Sequence, residues 1–179
     1  KELEDLDWIV EQDTYIPEVV YIDGHQGHLE KAKPVLEGHI TFMDKASMLV
    51  AHVVDPQPGE HILDCCAAPG GKSMHMASLM NNTGAIMSCD IYDHKLELIN
   101  QNAERLGVSI ISTKLQDGRY LPDNWKEQFD RVLVDAPCSG LGILQKKLDM
   151  RWRKTESLLI ELPPLQLEIL EKASEMVKV

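Results

Sequence analysis

A string of small residues between two apolar segments restricts this chain to a narrow set of topologies. His61-Ile62-Leu63 stops at Asp64-Cys65-Cys66-Ala67-Ala68-Pro69-Gly70-Gly71-Lys72-Ser73, which runs on into Met74-His75-Met76-Ala77-Ser78-Leu79-Met80. The pattern predicts a buried strand, a tight glycine turn and the start of a helix. Gly70 and Gly71 permit φ > 0 and put no Cβ between the main chain and a ligand, while the first N–H groups of the helix point into the same space. Such a turn suits a nucleotide-like ligand.

Three readings compete for it. A phosphate-binding Walker loop needs a glycine where Cys66 stands, so Gly71-Lys72-Ser73 matches only the tail of that motif. The dinucleotide fingerprint G-x-G-x-x-G is absent as well. The third reading is the first loop of an S-adenosylmethionine methyltransferase, whose glycine turn takes the amino-acid part of a cofactor without phosphate. An ordinary strand-turn-helix corner is the plain alternative.

The periodicity along the chain predicts where the remaining elements lie. Glu18 to Ile22 reads as a strand, Asp23 to Gly27 as a hairpin or loop, and Gly38 to Met43 as another short strand. Residues 1–43 are expected to form a small, partial β-rich appendage, and residues 44–179 the main domain. Asp44 is a helix N-cap before Lys45 to Val54, a helix that Asp55-Pro56-Gln57-Pro58-Gly59 must end. Ala85 to Asp90, Val108 to Leu115 and Phe129 to Asp135 read as further strands, Asp93 to Leu106 as a helix closed by Gly107, and Pro164 to Val177 as a last helix. Alternating strands and helices imply an α/β fold with a parallel sheet and right-handed crossovers.

In an open parallel sheet, ligands sit beyond the carboxyl ends of the strands. This chain places Asp64, Asp90, Asp117 and Asp135 at or just after four such ends. Singly, a strand-end Asp is a turn former or a helix cap. Together they are expected to face a cofactor, with Asp90 accepting hydrogen bonds from ribose hydroxyls.

Cys66-Ala67-Ala68-Pro69-Gly70-Gly71-Lys72, together with Asp135-Ala136-Pro137-Cys138-Ser139-Gly140, resembles the Nop/Sun family of RNA cytosine-5 methyltransferases, most closely its bacterial ribosomal RNA members. Asp149-Met150-Arg151-Trp152 and the stretch from Leu162 to Leu170 resemble it too, so the similarity runs from about residue 40 to the end. The resemblance implies a Rossmann-like class I sheet with S-adenosyl-L-methionine bound by Cys66, Ala67, Ala68, Pro69, Gly70, Gly71, Lys72, Asp90, Asp117 and Asp135. Asp117 would lie on the adenine side, and Asp135 between cofactor and target base as a catalytic residue. It also implies a substrate, ribosomal RNA of the small subunit.

The chemistry of that reaction calls for a cysteine beside the base. C5 of cytosine is too electron-poor to attack a methyl sulfonium, so a thiolate first adds to C6; afterwards the C5 proton leaves and the thiolate is expelled. In DNA-modifying relatives the Pro-Cys cysteine is that nucleophile. In the RNA family it is a second cysteine, in a Thr-Cys pair after the fifth strand, and the Pro-Cys-Ser cysteine, here Cys138, assists product release. No Thr-Cys occurs in this sequence, and no cysteine follows Cys138. The resemblance therefore predicts a sheet truncated before its last strands, lacking the family's N-terminal RNA-binding domain. Such a piece is expected to bind the cofactor and to be inactive alone.

Charge sits awkwardly with this substrate. A net charge of −11 and a pI near 5.0 argue against binding nucleic acid by bulk electrostatics. One local exception is Lys146-Lys147 with Arg151-Trp152-Arg153-Lys154, where basic groups flank an aromatic; Lys146, Lys147, Arg151 and Arg153 are candidate RNA contacts, or else a solvated helix face. Four cysteines without a C-x-x-C pair read as free thiols, and seven histidines without H-x-x-x-H spacing give no support to a metal. With no apolar run near membrane-spanning length and no signal peptide at Lys1-Glu2-Leu3, no membrane association and a cytoplasmic location are expected. Two rivals to the RNA enzyme remain: a methyltransferase of the same fold acting on a protein or small molecule, and a non-catalytic module that binds RNA or a partner.

Overall fold

The computed structural model describes residues 3–4, 8–24, 28–143 and 157–179. In chain order its elements are β1 (Ile9–Gln12), β2 (Val20–Asp23), α1 (Lys33–Leu36), α2 (Lys45–Val54), β3 (His61–Asp64), α3 (Gly71–Leu79), β4 (Ala85–Asp90), α4 (Asp93–Arg105), β5 (Ile111–Leu115), β6 (Arg131–Leu133) and α5 (Ser157–Ser174). Strands β3 to β6 form one parallel sheet in the order β5-β4-β3-β6. The chain thus builds outward from β3 through β4 to β5, then returns to add β6 on the other side. That reversal makes the β3/β6 boundary the topological switch point, where an open α/β sheet leaves a crevice.

Alternation along β3 explains the layering. Ile62 and its neighbour Ile86 face α2 and α3, packing with Ala51, Met76, Ala77 and Met80. Leu63 points the other way, to a cluster with Cys65, Cys89, Phe129 and the α5 residues Ile169 and Ala173. Ile62 and Leu63 are fully buried, so truncating either to Ala should cost about 2–5 kcal/mol. Helix α4 adds a third group, in which Leu96, Ile99 and Ala103 meet Ala67 and Met74. Asp44 caps α2 as its sequence position predicts, accepting from the Ala46 N–H at 3.0 Å, and Asp55 ends the helix in the left-handed region at φ 51°.

Two expectations need correction. Gly38 to Met43 is not a strand: the N–H groups of His39 and Ile40 both turn back to the Pro34 carbonyl, and the Ile40 carbonyl accepts from Arg105. With the backbone groups of its first half engaged there, the segment pairs with no strand among the described residues. A hairpin also lies before β2, where β1 pairs antiparallel with β2 across a turn that Asp13 organises by accepting from the N–H groups of Tyr15 and Ile16, while residues 25–27 of the expected hairpin or loop at Asp23 to Gly27 lie outside the described residues. Helix α5 begins at Ser157, ahead of the expected Pro164, and carries Pro163 and Pro164 inside it. Each proline withholds one N–H from the helical ladder, and the exposed turn before them leaves the freed carbonyls to water.

Candidate functional site at the carboxyl edge of the sheet

The turn after β3 is fastened from several sides. Cys65 N–H donates to the Leu133 carbonyl at 3.0 Å and Ala67 N–H to the Cys89 carbonyl at 2.8 Å, so the chain leaves the sheet held by both neighbouring strands. Gly70 N–H closes the turn onto the Ala67 carbonyl at 2.7 Å, and Gly70 stands as N-cap of α3 at φ 99°. A Cβ on Gly70 would meet the Ile99 side chain at 3.2 and 3.3 Å, so the space it leaves open is filled by α4 rather than by a ligand. That revises half of the glycine argument. Positive φ is indeed required, but Gly70 serves close packing between turn and helix.

Asp64 also differs from expectation. The sequence groups it with three cofactor-facing carboxylates, whereas it is 1% exposed beneath α3. Ser73 Oγ donates to its Oδ2 at 2.7 Å, and Ser88 Oγ donates to Ser73 Oγ at 2.9 Å. Burial pushes the Asp64 carboxyl up to about 6, against the Ser73 and Cys66 hydrogen bonds that favour its charge. Its Oδ1 is buried and accepts no hydrogen bond. Sequence reasoning missed this Asp64-Ser73-Ser88 relay, although serines at 73 and 88 among otherwise apolar buried positions were the available signal.

The other three carboxylates are each engaged. Asp90 is buried, accepts from the Tyr92 N–H at 3.1 Å and has Lys95 Nζ at 3.7 Å. Asp117 is gripped by Arg119, whose Nη2 lies 2.7 Å from Oδ2 and whose Nε and backbone N–H reach Oδ1, and these bonds hold its carboxyl below the ordinary value. Asp135 is half exposed and pairs with Lys72 at 2.6 Å. Lys72 is therefore committed to Asp135.

Among the cysteines, three are packing groups. Burial raises the thiols of Cys65, Cys66 and Cys89, the latter two to about 12, so none is a thiolate near neutrality. Cys138 is exposed. Its segment is held against α5 by Gln166 Nε2, which donates to the Pro137 carbonyl at 2.7 Å. The candidate RNA contacts Lys146, Lys147, Arg151 and Arg153 lie outside the described residues. No helix among the described residues is long and apolar enough to cross a membrane.

Residues 51–179 match the model of the 16S rRNA methyltransferase RsmB/F family. The chain belongs to that family. It is 46% identical over 142 residues to the probable ribosomal RNA small subunit methyltransferase B of Bacillus subtilis, a match covering 79% of this chain and 32% of the relative. The RsmB/F chain thus spans about a third of that relative's length. PH0851 superposes with a TM-score of 0.91 at 35% identity, over 99% of this chain and 40% of that one. NSun6 from Pyrococcus horikoshii, solved with SFG, superposes with a TM-score of 0.77 at 28% identity, over 89% and 41%. RsmB/F membership agrees with the Nop/Sun resemblance drawn from the two motifs and with the Rossmann-like class I fold of an S-adenosylmethionine methyltransferase.

Proposed function

We propose that this chain is the cofactor-binding part of an enzyme that methylates C5 of cytosine in small-subunit ribosomal RNA, working in the cytoplasm. One observation carries the reading. Because β3 and β6 are paired neighbours, the glycine turn and the Asp135-to-Gly140 segment leave the sheet side by side, and the Lys72–Asp135 contact at 2.6 Å ties them together. A methyl donor at the turn and a base at the Pro-Cys-Ser segment would then be adjacent.

The residues present suit S-adenosylmethionine, bound by Cys66 to Lys72, Asp90, Asp117 and Asp135. Asp90, Asp117 and Asp135 follow the carboxyl ends of β4, β5 and β6 and offer acceptor oxygens at this edge, which suits a cationic ligand that also carries hydroxyl donors. No phosphate cradle is needed, in keeping with Cys66 in place of a Walker glycine. Bound there, the cofactor supplies an electrophilic methyl group on a sulfonium. Asp90, on the rim of α4, would receive the ribose hydroxyls, and Asp117 the adenine side while still held by Arg119. Asp135 would lie between donor and base, held in place by its contact with Lys72. Cys138, exposed on the segment after β6, would assist expulsion of the attacking thiolate after C5 loses its proton.

The test combines calorimetry of S-adenosylmethionine with incubation on 5-fluorocytosine ribosomal RNA, read on denaturing gels. This stretch is expected to bind the cofactor and to form no covalent adduct. An adduct that disappears in Cys138→Ser would make Cys138 the nucleophile. Failure of the folded chain to bind the cofactor would overturn the reading.

A further inference from the structure

Besides the strand-end carboxylates, a second group of side chains, Glu18, His52 and His75, converges from three parts of the chain. Glu18 comes from the turn before β2, His52 from the last turn of α2 and His75 from the middle of α3. One carboxylate oxygen, Glu18 Oε1, lies 2.5 Å from His52 Nε2 and 2.7 Å from His75 Nε2. The imidazoles stand edge to face, with centroids 5.5 Å apart and planes at 77°. The three potential ligand atoms all lie within 4.8 Å of one another. No spacing in the sequence announces the group, since its members sit 34 and 57 residues apart measured from Glu18.

We propose that Glu18, His52 and His75 form a binding site for one divalent transition-metal ion such as Zn²⁺, clasping the turn before β2 to helices α2 and α3. Two imidazoles and one carboxylate are a donor set that Zn²⁺ accepts, with a fourth position left for water. Ligand atoms around a tetrahedral ion with bonds of roughly 2.0–2.1 Å stand about 3.3 Å apart, so Glu18 Oε1 needs to draw back by less than about an ångström from each imidazole nitrogen to admit it. A second observation comes from His75 itself. Its side chain is 8% exposed and its Nδ1 is buried without a hydrogen-bond partner. Half a shared carboxylate oxygen is weak compensation for burying that ring, and a metal bond at Nε2 is a strong one. Room for the water exists, because a cavity of about 510 Å³ between the N-terminal residues and α3 is lined by Glu18, Lys45, His75 and Ser78 among others. None of the four strand-end carboxylates lines that cavity, although Gly71 at the start of α3 does.

The experiment uses the untagged chain, stripped with chelator, and titrates it with Zn²⁺ by calorimetry and with Co²⁺ by visible absorption. One equivalent should bind, Zn²⁺ should raise the melting temperature, and Co²⁺ should give the d–d bands of nitrogen and oxygen ligation without thiolate charge transfer. Glu18→Gln and His52→Ala change partly exposed side chains and should leave the chain folded, yet each should weaken Zn²⁺ at least tenfold and abolish the melting shift. Wild type that binds no Zn²⁺ overturns the proposal. So does binding unchanged in His52→Ala, or a thiolate band, which would place the ion at a cysteine.

Discussion

The segments that leave the sheet after β3 and after β6 lie side by side but are held in opposite ways. After β3, Asp64, Cys65 and Ser73 are buried, the main chain is tied to both neighbouring strands, and Ile99 packs onto Gly70. After β6, Asp135 and Cys138 are open to solvent, and the described side-chain ties to other elements are one hydrogen bond from Gln166, one ion pair with Lys72 and the packing of Ala136 against the cluster around Leu63. A pocket for an unvarying small cofactor gains from rigid walls, because a preformed site avoids ordering costs on binding. On the proposed function the neighbouring segment meets a large polymer, to which it leaves Asp135 and Cys138 exposed. One edge of the sheet therefore carries both a finished surface and an unfinished one.

Gly70→Val should break the first segment most severely. A valine at φ 99° is strained by about 1–3 kcal/mol, and its side chain must also displace Ile99, adding a similar amount. Urea unfolding should show a loss of about 2–6 kcal/mol, while Ser139→Ala on the second segment stays within about 0.5 kcal/mol. Equal midpoints for the two variants would erase the contrast.

Asp64 gives the next largest effect, and it depends on pH. Its carboxyl titrates near 6 in the folded chain against an ordinary 3.8, so the unfolded chain releases this proton first as pH rises. The stability it contributes is full below about pH 4 and is lost as pH climbs through 6, a change of about 3 kcal/mol. Asp117 and Asp130, whose carboxyls are held low, act in the opposite direction. The difference between wild type and Asp64→Asn isolates the one group, and the variant should gain on wild type steadily between pH 4 and pH 7. A pH-independent difference would mean that Asp64 is solvated.

Asp90→Ala tests whether a carboxylate can serve both fold and ligand. Its Oδ1 receives the Tyr92 N–H at the start of α4, so removal should lower stability without ligand by about 1 kcal/mol. Cofactor affinity should fall by roughly 1.5–3 kcal/mol per charged hydrogen bond lost. Calorimetry beside thermal melts reads both, and an unchanged affinity would remove Asp90 from the site.

Much of this was legible in the sequence because it depends on local pattern. Ala85 to Asp90 is a short, mainly apolar run that ends on an acid, Asp93 to Leu106 has a helical period closed by glycine, and both elements fall where that pattern puts them. What escaped depends on contacts distant in sequence. Gly38 to Met43 has strand composition, yet Arg105 and Pro34 take its backbone groups. Asp64 looks like its three counterparts until α3 covers it with Ser73. Glu18, His52 and His75 sit on separate elements and meet only when the turn before β2 docks on α2 and α3. Periodicity reports which face is buried, and says little about what lies opposite.

The smallest stability effect and the sharpest chemical contrast belong to Cys138. As an exposed side chain on the loosely held segment, it can be replaced by serine for less than about 0.5 kcal/mol. Its reactivity should nonetheless stand apart from that of the other three thiols. Alkylation requires both access and the thiolate form, and Cys65 and Cys89 are buried with raised thiols while Cys66 is half-buried and pushed up to about 12. Iodoacetamide at pH 8, followed by peptide mass spectrometry, should label Cys138 at least about a hundredfold faster than any of them. In Cys138→Ser the folded chain should take up almost no label until urea opens it. Comparable labelling of Cys66 in the native chain would mean that the turn after β3 opens readily to solvent, and the two segments would then differ in sequence but not in how firmly they are held.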